Sequence, residues 1–344
     1  MAYINFKPSD YFATKLYTGN GTDDRAYTGV GFTPDFGWFK ERSGTDVNFL
    51  VNTVMGANHA VYSNSNAVDD TSVNAVKAFG ADGYTLGVNS GVNENTSTYV
   101  NWNWKAGTTS GISGGTITPS AYSINTTSGF GIYKYAGTGS NGTIAHGLSS
   151  APKMVICKRI AGDTGDWNSW NEGMTSGSYY INLNTNGAEV SNTAVWNSTI
   201  PSSTVVSLGT YAAVNASGST YIMFAWSEIP GYSSFGQYVG NGNADGSFIY
   251  TGFKPAFVSL KKTDGSGDWY TYDNKRLGYN ADNNALYLDL TNAESTSEDI
   301  DILSNGFKLR STNGEINGSG GKYIYMAWAD QPIVGSNDTP GVAR

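Results

Sequence analysis

Two runs of alternating side chains predict the fold of this chain most clearly. In Tyr221–Trp226 and Tyr323–Trp328, neighbouring side chains point to opposite faces, and both faces are largely apolar. A strand that is apolar on both faces is typical of the centre of a sheet covered on both sides. Helical periodicity is almost absent elsewhere. The pattern therefore predicts many short β-strands, with these two runs in central positions.

Two phrases occur three times each along the chain. The first runs from a Pro to a Lys six residues later, and the second ends in a Trp that lies 70, 74 or 73 residues after the Pro. The copies are Pro34–Lys40, Pro152–Lys158 and Pro255–Lys261 for the first phrase, and Tyr99–Trp104, Tyr221–Trp226 and Tyr323–Trp328 for the second. A repeat of this long period predicts three tandem units, each able to bury its own core.

Shorter landmarks strengthen the repeat. The segments Tyr27–Phe32 and Tyr250–Phe253 both begin Tyr-Thr-Gly and precede a Pro phrase, which aligns Tyr27 with Tyr250. The second and third units also share a Gly-Asp-Trp turn that ends at Trp167 and Trp269. The first unit has Gly-Thr-Asp at residues 44–46 and lacks the Trp.

We therefore expect an all-β chain of three tandem antiparallel β-sandwich units, lectin-like or jelly-roll-like, related by internal repeat. Their expected bounds are residues 1–112, 113–230 and 231–333, followed by a C-terminal tail at 334–344. Gly107–Pro119, rich in Gly, Ser and Thr, separates the first two units. The shorter Glu228–Ser234 separates the second from the third and should hold them close.

Composition excludes several classes of protein. The chain is 39% hydrophobic and 13% aromatic, enough to bury a core and to argue against disorder. A net charge of −8 argues against a nucleic-acid-binding surface, which needs an excess of Lys and Arg. No apolar run reaches the length of a membrane span, and the first residues do not resemble a signal peptide. We expect neither feature.

Few residues offer chemistry. His59 and His146, the two histidines, are far apart in sequence, and neither has a Cys or a second His nearby. His146 also aligns with Gly29 and Gly252, which indicates a turn residue. Cys157, the one cysteine, lies in an apolar run and is interpreted as a small buried hydrophobe. We expect no metal and no cofactor.

Carboxylates are the remaining catalytic candidates, because some β-sandwiches are glycosidases with a carboxylate pair. The candidates are Glu172, Glu228, Asp166, Asp268 and Asp273. Asp166 and Asp268 recur in equivalent Gly-Asp-Trp turns, which a side-chain bond to the turn backbone explains. The acidic segment Glu294–Asp301 could bind a cation but lacks the spacing of a calcium loop. We expect no enzymatic activity.

Aromatic side chains beside the Gly/Asp turns are candidate glycan contacts, because exposed rings can stack on sugars. They are Trp167, Trp170, Trp269, Tyr270 and Tyr272. The alternative interpretation, which we favour for Trp167 and Trp269, is that these rings cap the sandwich core. Any recognition should lie where the copies differ, at Val54–Thr71, Glu172–Val205 and Asn274–Asp301.

Several segments resemble a repeat family in the virion structural proteins of marine tailed bacteriophages. They are Lys7–Phe12, Lys15–Gly21, Gly31–Phe36, Tyr99–Ala106, Ala121–Tyr133 and Pro340–Arg344, so that the resemblance spans nearly the whole chain. It implies a tail fibre or structural protein with lectin-like sandwich domains. It supplies no catalytic or ligand-binding residue.

The expectation is thus a virion surface protein, a tail fibre or tip component that contacts host surface glycans. The alternative is a capsid decoration (cement) protein at three-fold or quasi-three-fold sites, since three similar units in one chain could imitate a trimer. A glycan-degrading enzyme is the least favoured. The expected partners are other virion proteins and host glycans, with no nucleic acid or membrane insertion, and the chain is expected to be oligomeric in the particle.

Overall fold

The computed structural model describes residues 4–71, 73–276, 280, 283–296 and 299–332. Over these residues the chain is all-β, with several antiparallel sheets and a few helices of a single turn. The predicted tail at 334–344 lies outside the described residues. No helix in the described ranges is long and apolar enough to span a membrane.

Two packed antiparallel sheets lie between Phe12 and Trp104, and we call them the N-terminal sheet pair. The elements are β1 (Phe12–Thr18), β2 (Arg25–Thr28), β3 (Phe36–Glu41), β4 (Phe49–Asn52), β5 (Val61–Tyr62), β6 (Val76–Gly80), β7 (Gly83–Leu86), α1 (Ser90–Asn93) and β8 (Thr98–Trp104). The larger sheet has the order β1-β8-β3-β4-β5 and the smaller one β2-β7-β6. Buried side chains from both sheets form one apolar cluster between them.

The middle sheet pair follows. Its elements are β9 (Ala121–Asn125), β10 (Phe130–Ala136), β11 (Gly142–Ala145), β12 (Pro152–Ala161), β13 (Asn168–Asn171), β14 (Tyr179–Asn182), β15 (Val190–Ser191), α2 (Thr193–Trp196), β16 (Val205–Leu208), α3 (Ala212–Asn215) and β17 (Thr220–Ser227). The larger sheet has the order β15-β14-β13-β12-β17-β10-β9, and β11 pairs with β16.

The C-terminal sheet pair completes the described fold. Its elements are β18 (Ser233–Val239), β19 (Phe248–Tyr250), β20 (Phe257–Lys262), β21 (Tyr270–Asp273), β22 (Asn284–Tyr287), β23 (Ser295–Thr296), β24 (Ile300–Leu303), β25 (Gly306–Leu309), α4 (Gly314–Asn317) and β26 (Lys322–Trp328). The larger sheet has the order β18-β26-β20-β21-β22-β23 and the smaller one β19-β25-β24.

The strands that contain the three Trp phrases are central, as the two apolar faces of Tyr221–Trp226 and Tyr323–Trp328 predict for β17 and β26. β8 lies between β1 and β3, β17 between β10 and β12, and β26 between β18 and β20. Their terminal Trp side chains face bulky neighbours across the ladder: Trp104 is opposite Phe12 and Phe36, Trp226 opposite Phe130 and Met154, and Trp328 opposite Phe257. The prediction of central position is confirmed.

A Tyr and an Asn hold a one-turn helix in each sheet pair. A helix of four residues has no stability of its own, so it needs such contacts. The Asn ends the helix, and its Oδ1 accepts a backbone N–H from the loop after β1, β10 or β18: Asn93 from Asn20, Asn215 from Thr138 and Asn317 from Asn241. The hydroxyls of Tyr99, Tyr221 and Tyr323 donate to the first turn.

The alignment of Tyr27 with Tyr250 is wrong by one residue. Tyr27 lies opposite Tyr84 and is 5% exposed, whereas Tyr250 lies opposite Gly306 and is 61% exposed. Because side chains alternate along a strand, a shift of one residue moves a side chain to the other face of the sheet. The residue equivalent to Tyr27 is Ile249, which is buried.

Candidate functional site

All five aromatic residues proposed as glycan contacts are buried. The exposed fractions are 0% for Trp167, 5% for Trp170, 1% for Trp269, 8% for Tyr270 and 1% for Tyr272. With their faces covered, these rings cannot stack on a sugar in this fold, and they belong to the core. The burial of Trp167 and Trp269 agrees with the interpretation favoured for them, that they cap the core, whereas the glycan-contact hypothesis treated all five rings as exposed. Burial of such large apolar surfaces is strongly favourable.

Two of these rings lie between sheet pairs. We call the contact between two sheet pairs a seam. At the seam of the middle and N-terminal pairs, Trp167 Nε1 donates to the carbonyl oxygens of Tyr62 and Ser65 at 2.9 and 3.0 Å. At the seam of the C-terminal and middle pairs, Trp269 Nε1 donates to the Asn182 carbonyl at 3.0 Å. The two Trp residues therefore join neighbouring sheet pairs.

Asn48 makes the corresponding contact at the third seam, between the N-terminal and C-terminal pairs. It lies eight residues after Lys40, as Trp269 lies eight after Lys261. Its Nδ2 lies within hydrogen-bond distance of three carbonyl oxygens, those of Tyr287, Leu288 and Leu290, at 2.9–3.2 Å. The N-terminal pair thus lacks a Trp at this position but has a hydrogen-bond donor there.

A backbone hydrogen bond also crosses each seam, and the three bonds follow one rule. The acceptors lie two residues after the Lys of each Pro phrase. The bonds are Asp69 N–H to Ile160 at 3.1 Å, Glu189 N–H to Thr263 at 2.9 Å, and Glu294 N–H to Arg42 at 2.8 Å. They run from the N-terminal pair to the middle pair, from the middle to the C-terminal, and from the C-terminal back to the N-terminal. The contacts form a closed cycle.

The Lys that ends each Pro phrase is buried beside a seam. Lys40, Lys158 and Lys261 are each 0% exposed. Lys40 Nζ donates to the Thr291 carbonyl across one seam, and Lys158 Nζ donates to the Asn66 carbonyl across another, both at 2.9 Å. Lys261 Nζ donates to the carbonyl of Gly267. Burial lowers the pKa of all three side chains to about 8, because it disfavours the charged ammonium.

One seam differs from the others in its charges. The carboxylate of Glu294 forms an ion pair across the seam with Arg42 at 2.5 Å, and Arg276 lies 3.8 Å away. Burial alone would raise the pKa of Glu294, but these cations lower it below its usual value. This seam joins the first and last sheet pairs, which no linker connects directly. The equivalent Asp69 and Glu189 bond within their own sheet pairs, to His59 and Thr175.

The three sheet pairs share a single aromatic core. Trp104, Trp226 and Trp328 come one from each pair, with ring centroids 5.2, 5.7 and 6.2 Å apart and planes 65–78° from one another. This is the edge-to-face packing that aromatic rings favour. Phe36 also contacts Phe224 of the middle pair at 4.7 Å. The largest apolar cluster therefore extends across all three pairs.

One family model, described as a domain of unknown function and called DUF7483, matches residues 7–332. The chain belongs to the DUF7483 family. No curated protein and no solved structure matches it. The matched region contains all three sheet pairs and their seams, so the DUF7483 domain corresponds to the whole arrangement rather than to one sheet pair.

The three segments in which recognition was expected contribute to the seams of this DUF7483 domain. The seam residues Tyr62–Asp69, Asn182–Glu189 and Tyr287–Glu294 lie within the three segments in which recognition was expected. In a single chain, each seam can have its own side chains, because no residue has to serve two symmetric positions. Many of the residues that differ between these three segments therefore make contacts between sheet pairs within the molecule.

Two candidate carboxylates of the DUF7483 chain come together. Burial raises the pKa of Glu228, and the charge of Glu172 adds to this effect. Lys153 forms an ion pair with Glu172, and Glu228 accepts a hydrogen bond from the Phe235 N–H at 3.2 Å. Each of the two carboxylates is thus bound to a group of the protein itself, as a carboxylate with a structural role is.

The other candidate carboxylates lie apart and have structural partners. Asp166 accepts from Asn184 Nδ2 at 2.8 Å, and Asp273 pairs with Arg276 at 2.8 Å and accepts from Trp102 Nε1 at 3.1 Å. Burial raises the pKa of Asp268, and the charge of Glu315 adds to it. No cluster of His, Cys, Asp and Glu among the described residues could hold a metal ion.

Asp289 is a titratable group that the sequence analysis missed. Its Oδ1 accepts the Trp269 N–H at 2.9 Å, and it is 5% exposed. Burial raises its pKa to about 7, and the charge of Asp268 adds to the effect, whereas the Trp269 N–H and Lys261 oppose it. The equivalent residues Asn64 and Asn184 accept the same backbone bond as neutral amides. The sequence does contain a sign of this group, because Asp289 stands where the other two sheet pairs have Asn64 and Asn184.

Proposed function

We propose that this DUF7483 protein is a non-catalytic structural protein on the surface of a bacteriophage particle. In this proposal, the three sheet pairs are three β-sandwich units related by internal repeat, at residues 1–112, 113–230 and 231–333. The units close into a pseudo-trimer within one chain. The resemblance to virion proteins of tailed phages supports a place on the phage particle. The geometry of the three sheet pairs supports a structural role.

The cyclic order of the seams is the observation that carries the proposal. Contacts of one kind run from each sheet pair to the next and return from the last to the first. A head-to-tail interface either builds an open filament or closes into a ring, depending on its rotation. Here it closes after three units, around Trp104, Trp226 and Trp328. Much of each copy therefore serves assembly of the molecule itself.

This arrangement favours capsid decoration over a tail fibre. A three-fold or quasi-three-fold site presents three similar surfaces, and one chain with three similar units can contact all of them. A fibre needs a long axis, whereas the units of this chain converge on one core. The five rings named as candidate glycan contacts are buried, which leaves the tail-tip hypothesis without the side chains suggested to bind sugar.

The test is to count and locate the protein in purified particles. Quantitative mass spectrometry against the major capsid protein should give a copy number in the hundreds. A low-resolution map should then place single chains on three-fold or quasi-three-fold positions. About a dozen copies or fewer, located at the tail, would contradict decoration and return the tail-tip role. Absence from the particle would overturn the virion proposal altogether.

A further inference from the structure

Three short strands occupy corresponding edges of the smaller sheets. In β2, β11 and β19, the residues Tyr27, Ile144 and Ile249 are buried and lie opposite Tyr84, Val206 and Phe307. Within the described part of the chain, each strand has a strand neighbour on one side of its sheet. The other side is an edge, and an open edge is a template for another strand.

The edge of β11 is covered by the chain itself. The backbone N–H groups of Thr116 and Ile117 both donate to the Thr143 carbonyl at 2.9 Å, and the Thr143 N–H donates to Thr116 Oγ1 at 2.8 Å. These residues belong to the Gly/Ser/Thr-rich segment between the first two sheet pairs. The added segment buries Ile117. The molecule thus contains one example of this edge occupied by extended polypeptide.

The equivalent edge of β19 has backbone groups that point outward. Leu309 N–H donates to Ser247 and Thr251 N–H donates to Asn305, so Ser247, Ile249 and Thr251 face the neighbouring strand β25. In an antiparallel ladder the alternate residues face the other way. Phe248 and Tyr250 therefore direct their N–H and C=O groups to the edge. The segment that precedes this sheet pair, Glu228–Tyr232, is much shorter than the one that covers β11.

The side chains on this edge are also unusual. Phe248 is 46% exposed and Tyr250 61% exposed, and among the described residues they are the exposed large hydrophobics that are aromatic. At the equivalent positions β2 has Ala26 and Thr28, and the covered strand β11 has Thr143 and Ala145. An edge with outward backbone groups and two exposed aromatic rings indicates an interface.

We propose that β19 pairs with β19 of a second copy of the chain, antiparallel and across a two-fold axis at Ile249. The outward backbone groups of Phe248 and Tyr250 are placed symmetrically about Ile249, which makes the edge self-complementary. Phe248 then lies opposite Tyr250 of the second copy, twice, as a hydrogen-bonded pair. The four aromatic rings share one face, where cross-strand aromatic pairs are favourable. The two small sheets become one continuous sheet.

The size of the surface makes this a weak, concentration-dependent dimer. Three residues a side bury well under the roughly 1,200 Å² typical of stable complexes. On a particle surface, neighbouring copies would be held at high effective concentration, which strengthens a weak contact. The inference rests only on the edge and its side chains, so it does not depend on the phage assignment.

Disulfide trapping tests the contact and its register. Proteins carrying Phe248→Cys and Tyr250→Cys are mixed and mildly oxidised, with each variant alone as a control. Opposed residues of a hydrogen-bonded pair have Cα atoms about 5.5 Å apart, within disulfide range, whereas two copies of the same variant can offer only the longer diagonal approach. The native Cys157 is buried and should not interfere. We expect the mixture to cross-link at least about tenfold faster than either variant alone.

A matched control comes from the equivalent edge of the N-terminal pair. A mixture of Ala26→Cys and Thr28→Cys proteins places the same chemistry on β2, and we expect it to cross-link no faster than its separate variants. Sedimentation of the wild type should show a dimer that grows with concentration. The double variant F248T/Y250A should remain monomeric with an unchanged melting temperature.

Equal cross-linking on the two edges, or a wild type that stays monomeric at millimolar concentration, would overturn the proposal. A glycan-array signal that disappears in F248T/Y250A, from protein that is monomeric throughout, would assign the aromatic pair to sugar instead and would also overturn it.

Discussion

At the scale of single residues, the differences between equivalent positions are the most informative feature. The three backbone-capping residues Asn64, Asn184 and Asp289 make the same bond to the N–H of Asn48, Trp167 and Trp269. The third has an ionisable group where the others have an amide. The chain thus contains its own control for the effect of a buried charge.

We expect Asp289→Asn to change how stability depends on pH. Burial raises the pKa of Asp289 from 3.8 in the unfolded chain to about 7 in the folded protein. Between these two pH values the folded state therefore keeps a proton on Asp289 that the unfolded state has released. The contribution of this group to the free energy of unfolding is therefore highest below pH 3.8 and falls as the pH rises through about 7. D289N should raise the free energy of unfolding by about 1–3 kcal/mol at pH 8 and change it little at pH 4.

Urea unfolding across this pH range measures the effect. The charged groups that act on Asp289 are Asp268 and Lys261, and Glu315 acts in turn on both of these; all three remain in the variant. Asn184→Asp is the matched control, since it places the acid beside Asp166 in the middle pair and should destabilise the protein at pH 8. Parallel pH profiles for wild type and D289N would contradict the prediction, because they would show that folding does not shift the pKa of Asp289.

The ion pair Arg42–Glu294 gives a second prediction at this scale. Its side chains are 19% and 9% exposed, so solvent screens it only partly. Because Arg42→Ala leaves the carboxylate buried without its main partner, we expect a loss of about 2–4 kcal/mol. Lys77→Ala removes an exposed pair with Asp23 and Asp24, which solvent screens, and should lower the free energy of unfolding far less than Arg42→Ala does. Similar losses for the two variants would contradict a special role of this seam.

At the scale of elements, the residue that follows each Pro phrase by eight or nine positions joins its sheet pair to a neighbouring one. These residues are Asn48, Trp167 and Trp269. Trp269→Asn places at the C-terminal pair the residue that the N-terminal pair has at Asn48. The amide can still donate a hydrogen bond, but the variant loses a buried aromatic ring. We expect the free energy of unfolding to fall by about 3–5 kcal/mol. Val88→Asn, at a residue 48% exposed, is the control and should change it by less than about 0.5 kcal/mol.

Calorimetry gives the readout that separates a seam role from simple core packing. Opening of one seam should broaden or divide the melting transition of the Trp269→Asn protein. A lower melting temperature with a single, equally sharp transition would mean that Trp269 stabilises only its own sheet pair.

Much of the arrangement of individual strands could be predicted from the sequence. Alternation along Tyr221–Trp226 identified a central strand, because a strand apolar on both faces has nowhere else to lie. The face of Tyr250 could not be predicted, since an extra residue in the loop of the first copy shifts the register, and a shift of one reverses the face. The sequence could not decide between the glycan-contact and core interpretations of the five aromatic rings for a related reason. A Trp beside a turn has the same local sequence whether it faces solvent or a neighbouring sheet.

At the scale of the whole molecule, the repeated phrases of the sequence predict three similar units but not how the sheets are arranged. Period and landmarks describe what each copy contains, whereas the seams join segments in which the copies differ. The contacts of Asn48 with Leu288, 240 residues away, have no local signal. The closing seam is also the one with Asn in place of Trp and with the Arg42–Glu294 pair.

The central claim is that the three sheet pairs converge on one core, and small-angle X-ray scattering of the purified chain at low concentration tests it most directly. A single compact body of 344 residues should have a radius of gyration of about 20 Å. Three separate domains in a row would give about 30 Å, from about 13 Å for each domain and the spacing between them. A value near 20 Å with one maximum in the distance distribution is the predicted result. A value near 30 Å with a second maximum would contradict the closed arrangement.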